Sequence, residues 1–67
     1  MEFKDKVKTV RKRLFITQEQ LAKAIGCTPL TVVRWENGQK EPRLILEAKF
    51  EKFCDDNGIK FDDKDGK

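Results

Sequence analysis

The sequence contains no histidine and only two cysteines, Cys27 and Cys54, among its 67 residues. A zinc site built from nitrogen and sulfur ligands needs four such side chains, so we expect no metal ion. Catalytic sites that use a histidine base are absent for the same reason. The four glycines stand at predicted helix ends or near the C-terminus, not in a phosphate-binding loop. We therefore expect neither an enzyme nor a cofactor.

Long apolar segments are also missing, since 40% of the residues are charged and 37% are hydrophobic. No apolar run approaches the roughly 20 residues that a transmembrane helix needs. Residues 1–8 show no apolar signal segment. We expect a cytoplasmic protein with reduced thiols, although two cysteines leave a single disulfide open.

The charge is unevenly distributed along the chain, whose net charge is +3. Residues 1–43 carry ten Lys/Arg and five Asp/Glu, whereas residues 44–67 carry five lysines and seven acids. A basic N-terminal part beside an acidic C-terminal part favours a polyanionic partner. Taken alone, it equally fits helices with solvated charged faces.

Two flanking helices are predicted from apolar periodicity. Apolar residues recur at steps of four, three and four between Phe3 and Leu14, which predicts an amphipathic helix over 3–14. Its apolar residues are needed to cover a small core, which argues against a membrane-surface role. A second apolar stripe predicts a helix over about 42–57, opened by a proline. We expect a single domain over 1–59 and a polar tail over 60–67.

The segment between these helices begins with a capping box. Thr17 and Gln20 have the spacing at which each side chain bonds the backbone N–H of the other residue. This pair predicts a helix over about 18–25. Gly26 supplies the left-handed residue that commonly ends a helix.

The third predicted helix covers about 29–37. Thr28 is placed to cap it, and Pro29 occupies the first helical position, where a missing N–H costs nothing. The pair Asn37-Gly38 marks its end. Together with the preceding helix and glycine turn, it forms a helix-turn-helix pattern.

At about 100° per residue, Val32 and Trp35 lie on one side of this third helix and point to the core. The opposite side is predicted to carry Pro29, Leu30, Val33 and Arg34. In a DNA major groove, apolar side chains contact thymine methyls, and arginine bonds guanine. Self-association or partner binding by the exposed apolar pair is the alternative. The ten predicted core residues are Val7, Val10, Leu14, Leu21, Ile25, Val32, Trp35, Leu46, Phe50 and Phe53.

Residues 11–42 resemble the Cro/phage-repressor (XRE-like) helix-turn-helix family of bacterial and phage transcriptional regulators. The matching positions are Arg11, Thr17-Gln18, Leu21-Ala22, Gly26, Val32 and Trp35-Glu36-Asn37-Gly38. The resemblance implies an all-α, lambda-repressor-like DNA-binding domain of four helices, or five if a further C-terminal helix forms. It also implies that the third helix enters the major groove, with the protein expected to act as a repressor.

The resemblance assigns roles position by position. Base edges would be met by Pro29, Leu30, Val33 and Arg34. Phosphate contacts would come from Gln18, Thr28, Thr31, Asn37, Gln39 and Lys40. Arg11 and Glu36 match a structural ion pair between the first helix and the end of the third.

The sequence also departs from the family pattern. Phe15 stands where a glycine-containing turn is usual, and Pro29 and Leu30 lack side-chain hydrogen-bonding groups.

The expected partner is double-stranded DNA, to which the protein would bind as a homodimer. The alternative is a protein-interaction module, such as an antitoxin or co-repressor subunit, that uses the fold mainly to bind a protein partner.

Overall fold

The computed structural model describes residues 2–61 and forms four helices within that range. They are α1 (Phe3–Leu14), α2 (Gln18–Ile25), α3 (Pro29–Glu36) and α4 (Leu44–Asp56). Residues 2–61 contain no strand. The predicted all-α class is therefore confirmed.

The starts of α2 and α3 are fixed by local hydrogen bonds. The Thr17 hydroxyl accepts from the Gln20 N–H at 3.0 Å, and the Gln20 side chain accepts from the Thr17 N–H at 2.9 Å. The Thr28 hydroxyl accepts from the Thr31 N–H at 3.3 Å. Such caps satisfy backbone donors that have no partner within the helix. Both helix starts thus follow from short stretches of sequence.

The turn between α2 and α3 depends on the left-handed backbone of Gly26, whose φ is 97°. The Gly26 and Cys27 N–H groups both donate to the Ala22 carbonyl, at 2.8 and 2.9 Å. A residue with a Cβ in this region costs about 1–2 kcal/mol. Glycine therefore allows the chain to turn sharply from α2 into α3.

Phe15 ends α1 in the same left-handed region, with φ 56°. Its side chain is 93% exposed, so burial does not offset the backbone strain. The following residue, Ile16, donates its N–H to the Arg11 carbonyl at 3.2 Å and packs against the core. The turn after α1 is thus closed around an exposed aromatic residue.

The helix ends differ slightly from the prediction. Helix α4 begins at Leu44 instead of residue 42, because Arg43 is extended (φ −70°, ψ 153°). The Arg43 carbonyl accepts the first helical hydrogen bond, from the Glu47 N–H at 2.8 Å. Helices α3 and α4 each end one residue earlier than predicted, since Asn37 and Asn57 act as C-caps.

The four helices share one apolar core. Of the ten predicted core residues, seven are buried: Val7, Val10, Leu21, Ile25, Val32, Trp35 and Phe50. The other three are half-buried and pack against the core: Leu14, Leu46 and Phe53. Phe3 closes one side, with its ring centroid 5.1 Å from that of Trp35 and 5.2 Å from that of Phe50, both in edge-on arrangements.

The chain folds back on the core after α4. The Ile59 N–H donates to the Cys54 carbonyl at 2.8 Å, and the Ile59 side chain is buried. Phe61 is half-buried on the core, with the Lys6 Nζ 5.5 Å from its ring centroid. Packed structure therefore extends past the predicted boundary at residue 59, because Phe61 adds an apolar contact. Residues 62–67 of the predicted tail lie outside the described residues.

Candidate nucleic-acid interface

The two central helices are held against each other through their buried faces. Leu21, Ala22 and Ile25 of α2 share the core with Val32 and Trp35 of α3. This burial leaves the opposite side of α3 facing solvent.

In the part of the chain that the structure describes, no helix has the length and apolar character of a membrane span.

The outward side of α3 carries three exposed residues, Pro29, Leu30 and Arg34. The Leu30 side chain is 56% exposed, although it is large and apolar. Val33 is half-buried, so it is less exposed than its predicted role suggests. It lies about 60° around the helix from buried Glu36, which explains the partial burial.

The six predicted phosphate ligands fall into two groups. Gln18 and Thr31 are half-buried, whereas Thr28, Asn37, Gln39 and Lys40 are exposed. The hydroxyl oxygens of Thr28 and Thr31 lie 2.9 Å apart and are hydrogen-bonded to each other. The N-terminus of α3 therefore presents a paired hydroxyl group beside exposed Pro29 and Leu30.

Glu36 joins three helices through its buried carboxylate, which is 6% exposed. The Arg11 Nε donates to its Oε2 at 2.6 Å, and the Arg11 Nη2 donates to its Oε1 at 3.0 Å. The Gln18 Nε2 also donates to Oε1, at 2.9 Å. We call this cluster of Arg11, Gln18 and Glu36 the Glu36 hub. It fixes the last turn of α3 relative to α1 and to the start of α2.

The electrostatics of the Glu36 hub favour ionised groups. Burial acts to raise the pKa of Glu36, but hydrogen bonds from Arg11 and Gln18 and the charges of Arg11 and Lys8 outweigh it and lower that pKa. The hydrogen bond to Glu36 raises the pKa of Arg11. A bidentate guanidinium–carboxylate pair of this kind is rigid as well as strong.

The cysteines show no feature of a reactive site. Burial raises the pKa of the Cys27 thiol. Burial, aided by the charges of Asp55 and Glu51, raises the pKa of the Cys54 thiol to about 11. Both cysteines are free thiols, and the raised pKa values disfavour the nucleophilic thiolate. Within residues 2–61, no cluster of potential metal ligands is found.

Two lysines of α1 lie closer to α3 than the sequence alone suggests. A Cβ on Gly38 would stand 3.4 Å from the Lys4 Cδ, so the lysine stem crosses the turn after α3. Lys8 is close enough to Glu36 for its charge to lower that pKa. The sequence could have indicated this approach through the spacing of Lys4, Lys8 and Arg11, because residues at these positions share one side of a helix.

A capped helix, a glycine turn and a third helix with an outward polar and apolar face define a helix-turn-helix domain. A family model described as helix-turn-helix matches residues 7–55. The chain belongs to this Cro/phage-repressor type family of DNA-binding transcriptional regulators.

Similar proteins occur in archaea and bacteria. An uncharacterized HTH-type transcriptional regulator of Methanocaldococcus jannaschii is 38% identical over 60 residues, which cover 90% of this chain and 86% of its own. YgzD of Bacillus subtilis, described in the same words, is 37% identical over the same shares. A regulator of Methanothermobacter thermautotrophicus is 47% identical over 36 residues, 54% of this chain and 52% of its own. No solved structure matches the chain.

Proposed function

We propose that this protein binds specific double-stranded DNA sequences and represses transcription, with α3 lying in the major groove. The observation that carries the proposal is the division of α3 into two faces. Val32 and Trp35 are buried, while Leu30 and Arg34 are exposed on a helix held in place by the Glu36 hub. A rigid helix with an exposed face suits recognition of base edges.

The outward residues favour a particular kind of half-site. Arg34 can donate two hydrogen bonds to O6 and N7 of guanine, a contact worth about 1–3 kcal/mol of discrimination. Pro29, Leu30 and Val33 offer apolar surface to thymine methyl groups. We therefore expect thymines beside a guanine in each half-site.

Phosphate contacts would hold the recognition helix in position. Gln18 lies in the first turn of α2, where the helix dipole favours an anion. Asn37, Gln39 and Lys40 are exposed in the loop that follows α3. Thr28 and Thr31 stand at the opposite end of the same helix. These groups flank the outward face on both sides.

A homodimer on DNA is expected because α3 has only eight residues and reads few base pairs. Two copies related by a two-fold axis would place their recognition helices about 34–36 Å apart, one turn of the duplex. Repression requires only that the dimer occupy a promoter.

Selection of bound duplexes from a random pool tests the proposal. Wild-type protein should enrich one two-fold motif. Arg34→Ala should relax the preference at one base position, whereas Lys40→Ala should weaken binding to all sequences alike. Absence of an enriched motif with folded wild-type protein would overturn the proposal.

A second candidate is a protein-interaction module, because large apolar side chains are exposed outside the outward face of α3. Leu44 is 82% exposed and Ile45 is 69% exposed at the start of α4. Salt dependence separates the two functions, since phosphate contacts make DNA affinity fall steeply with salt. Weak, salt-insensitive DNA binding combined with tight binding to a protein would favour this candidate.

A further inference from the structure

We propose that Lys4 and Lys8 of α1 form a phosphate-binding track that extends the DNA contact beyond the helix-turn-helix. We call these two residues the α1 track. Arg11 lies on the same flank, but its guanidinium is bonded to Glu36 and to the Ile16 carbonyl. The inference rests on the proposed DNA-binding function and adds a third helix to the contact surface. It assigns binding roles to two lysines that otherwise count as members of a solvated face.

The positions of the basic residues around α1 separate this track from the rest of the helix. Taking Phe3 as zero, Arg11, Lys4 and Lys8 fall within about 80–140° at 100° per residue. Lys6 and Arg13 fall on the other flank, near about 280–300°. Lys6 is directed toward the ring of Phe61 near α4. Lys12 falls between the two flanks, at about 180° and beside Lys8. Lys4, Lys8 and Arg11 thus share the flank toward α3, whereas Lys6 lies on the flank toward α4.

Lys4 lies at the turn that ends α3. Its Cδ and Nζ atoms are 3.4 and 3.9 Å from the position of a Cβ on Gly38. Lys4 and Lys40 line the same surface hollow, so a lysine of α1 approaches the loop predicted to contact phosphate. Two acids, Glu2 and Glu41, also line this hollow, and the Glu2 carboxylate is 4.0 Å from the Lys4 Nζ. Glu2 would therefore compete with a phosphate for Lys4.

Lys8 lies one turn further along α1, beside the Glu36 hub. By helical periodicity it lies on the flank of α1 that carries Arg11, which is bonded to Glu36 in the last turn of α3. Glu36 itself is bonded by Arg11 and Gln18, and the Lys8 side chain is exposed to solvent. Lys8 is therefore free of a short bond to this carboxylate and available for an external anion.

The α1 flank that carries the track lies between two predicted phosphate-binding places, the loop after α3 and Gln18 at the start of α2. Lys4 stands beside the loop at residues 37–40, and Arg11 is tied through Glu36 to Gln18 at the start of α2. Lys4 and Lys8 are four positions apart, which corresponds to roughly 6 Å of helix. Phosphates of one DNA strand rise by about 3.4 Å each along the duplex axis. The track is therefore long enough to follow a short stretch of one strand.

Salt titration of binding to a random-sequence duplex tests the inference. Each lost phosphate contact should reduce the slope of log affinity against log salt by about 0.9. Lys8→Ala, and Lys4→Gln, which keeps most of the stem against Gly38, should each show this reduction. Arg13→Ala is the matched control, because Arg13 is an exposed basic residue on the opposite flank of the same helix. Lys52→Ala in α4 is a second control.

The acid at the end of the track provides a test of opposite sign. Glu2→Gln should strengthen binding at low salt, because it releases Lys4 from its ion pair without altering any lysine. Thermal unfolding of every variant checks that the fold is kept.

The outcomes distinguish the inference from the proposed function. A steep wild-type slope with equal slopes for Lys8→Ala, Lys4→Gln and Arg13→Ala would overturn the α1 track and leave DNA binding in place. A wild-type protein that does not bind duplex DNA would instead overturn the proposed function and the track with it. Reduced slopes confined to Lys4 and Lys8 would support the track.

Discussion

The two faces of α3 differ in burial, because the inner face packs against the other helices and the outer face is exposed to solvent. On the inner face, Trp35 is surrounded by Phe3 and the core, and Glu36 is bonded to two other helices. On the outer face, Leu30 and Arg34 are exposed. Residues 34 and 35 are neighbours in the chain but differ completely in burial. The comparison teaches that one short helix separates buried from exposed side chains. Under the proposed function, we therefore expect that stability and DNA recognition can be altered separately.

The largest expected effect comes from the inner face. Trp35→Ala should destabilise the domain by about 3–5 kcal/mol, because it removes a buried aromatic ring and leaves a cavity. For a domain of this size that is comparable to the whole free energy of unfolding. Urea or thermal unfolding followed by circular dichroism should show loss of the cooperative transition.

The matched control is the adjacent residue of the outer face. Arg34→Ala removes an exposed side chain and should change the free energy of unfolding by less than about 0.5 kcal/mol. Equal destabilisation by the two substitutions would contradict the division of α3 into two faces.

The second largest effect should come from the Glu36 hub. Glu36→Gln keeps the shape of the side chain but leaves the Arg11 guanidinium without its carboxylate. Hydrogen bonds to charged groups contribute about 1.5–3 kcal/mol, so we expect a loss of roughly 2 kcal/mol. Chemical denaturation measures it, and Glu19→Gln on exposed α2 surface serves as the control. A loss no greater than that of Glu19→Gln would show that the hub does not stabilise α3.

The lowered pKa of Glu36 predicts that the free energy of unfolding depends on pH. This effect should be smaller than that of the Glu36→Gln substitution. The pKa of Glu36 is lowered from its usual 4.5, so the unfolded state takes up a proton at higher pH than the folded state does. Its contribution to stability is therefore present above about pH 4.5 and is lost as the pH falls through the folded-state pKa. Unfolding measured from pH 7 to pH 3 should show a smaller acid loss in Glu36→Gln than in wild type. Parallel curves would contradict this role.

The smallest effect should be a gain of stability outside α3. Phe15→Gly should stabilise the domain by about 1 kcal/mol, because it relieves a side chain in the left-handed region. Phe15→Ala is the control, since it removes the same exposed ring but keeps a Cβ. Thermal unfolding should rank glycine above alanine at this position. The reverse order would contradict the backbone strain at this position, and a wild type more stable than both variants would mean that the phenylalanine ring itself stabilises the turn.

The local parts of this fold could be predicted from the sequence. The capping box at Thr17 and the cap at Thr28 depend on residues within three positions, and both form as expected. The start of α4 could not be placed from Pro42, because it depends on the extended backbone of Arg43. No side chain caps α4, so the sequence near Pro42 does not determine where this helix begins.

The candidate site shows the same limit. The exposure of Leu30 and Arg34 follows from helical periodicity, whereas the half-burial of Val33 depends on its neighbours. The approach of Lys4 to Gly38 joins residues that are 34 positions apart, through the packing of α1 on α3. A contact between residues so far apart in the chain cannot be predicted from a local sequence pattern.

The central claim, that the outer face of α3 reads DNA while its inner face holds the fold, is tested most directly by one paired selection experiment. Wild-type protein and Arg34→Ala are each used to select duplexes from the same random pool. We predict that wild type enriches a two-fold motif with thymines beside a guanine, and that Arg34→Ala keeps the motif but loses the preference for guanine. Identical motifs from the two proteins, or no motif from folded wild type, would contradict the account.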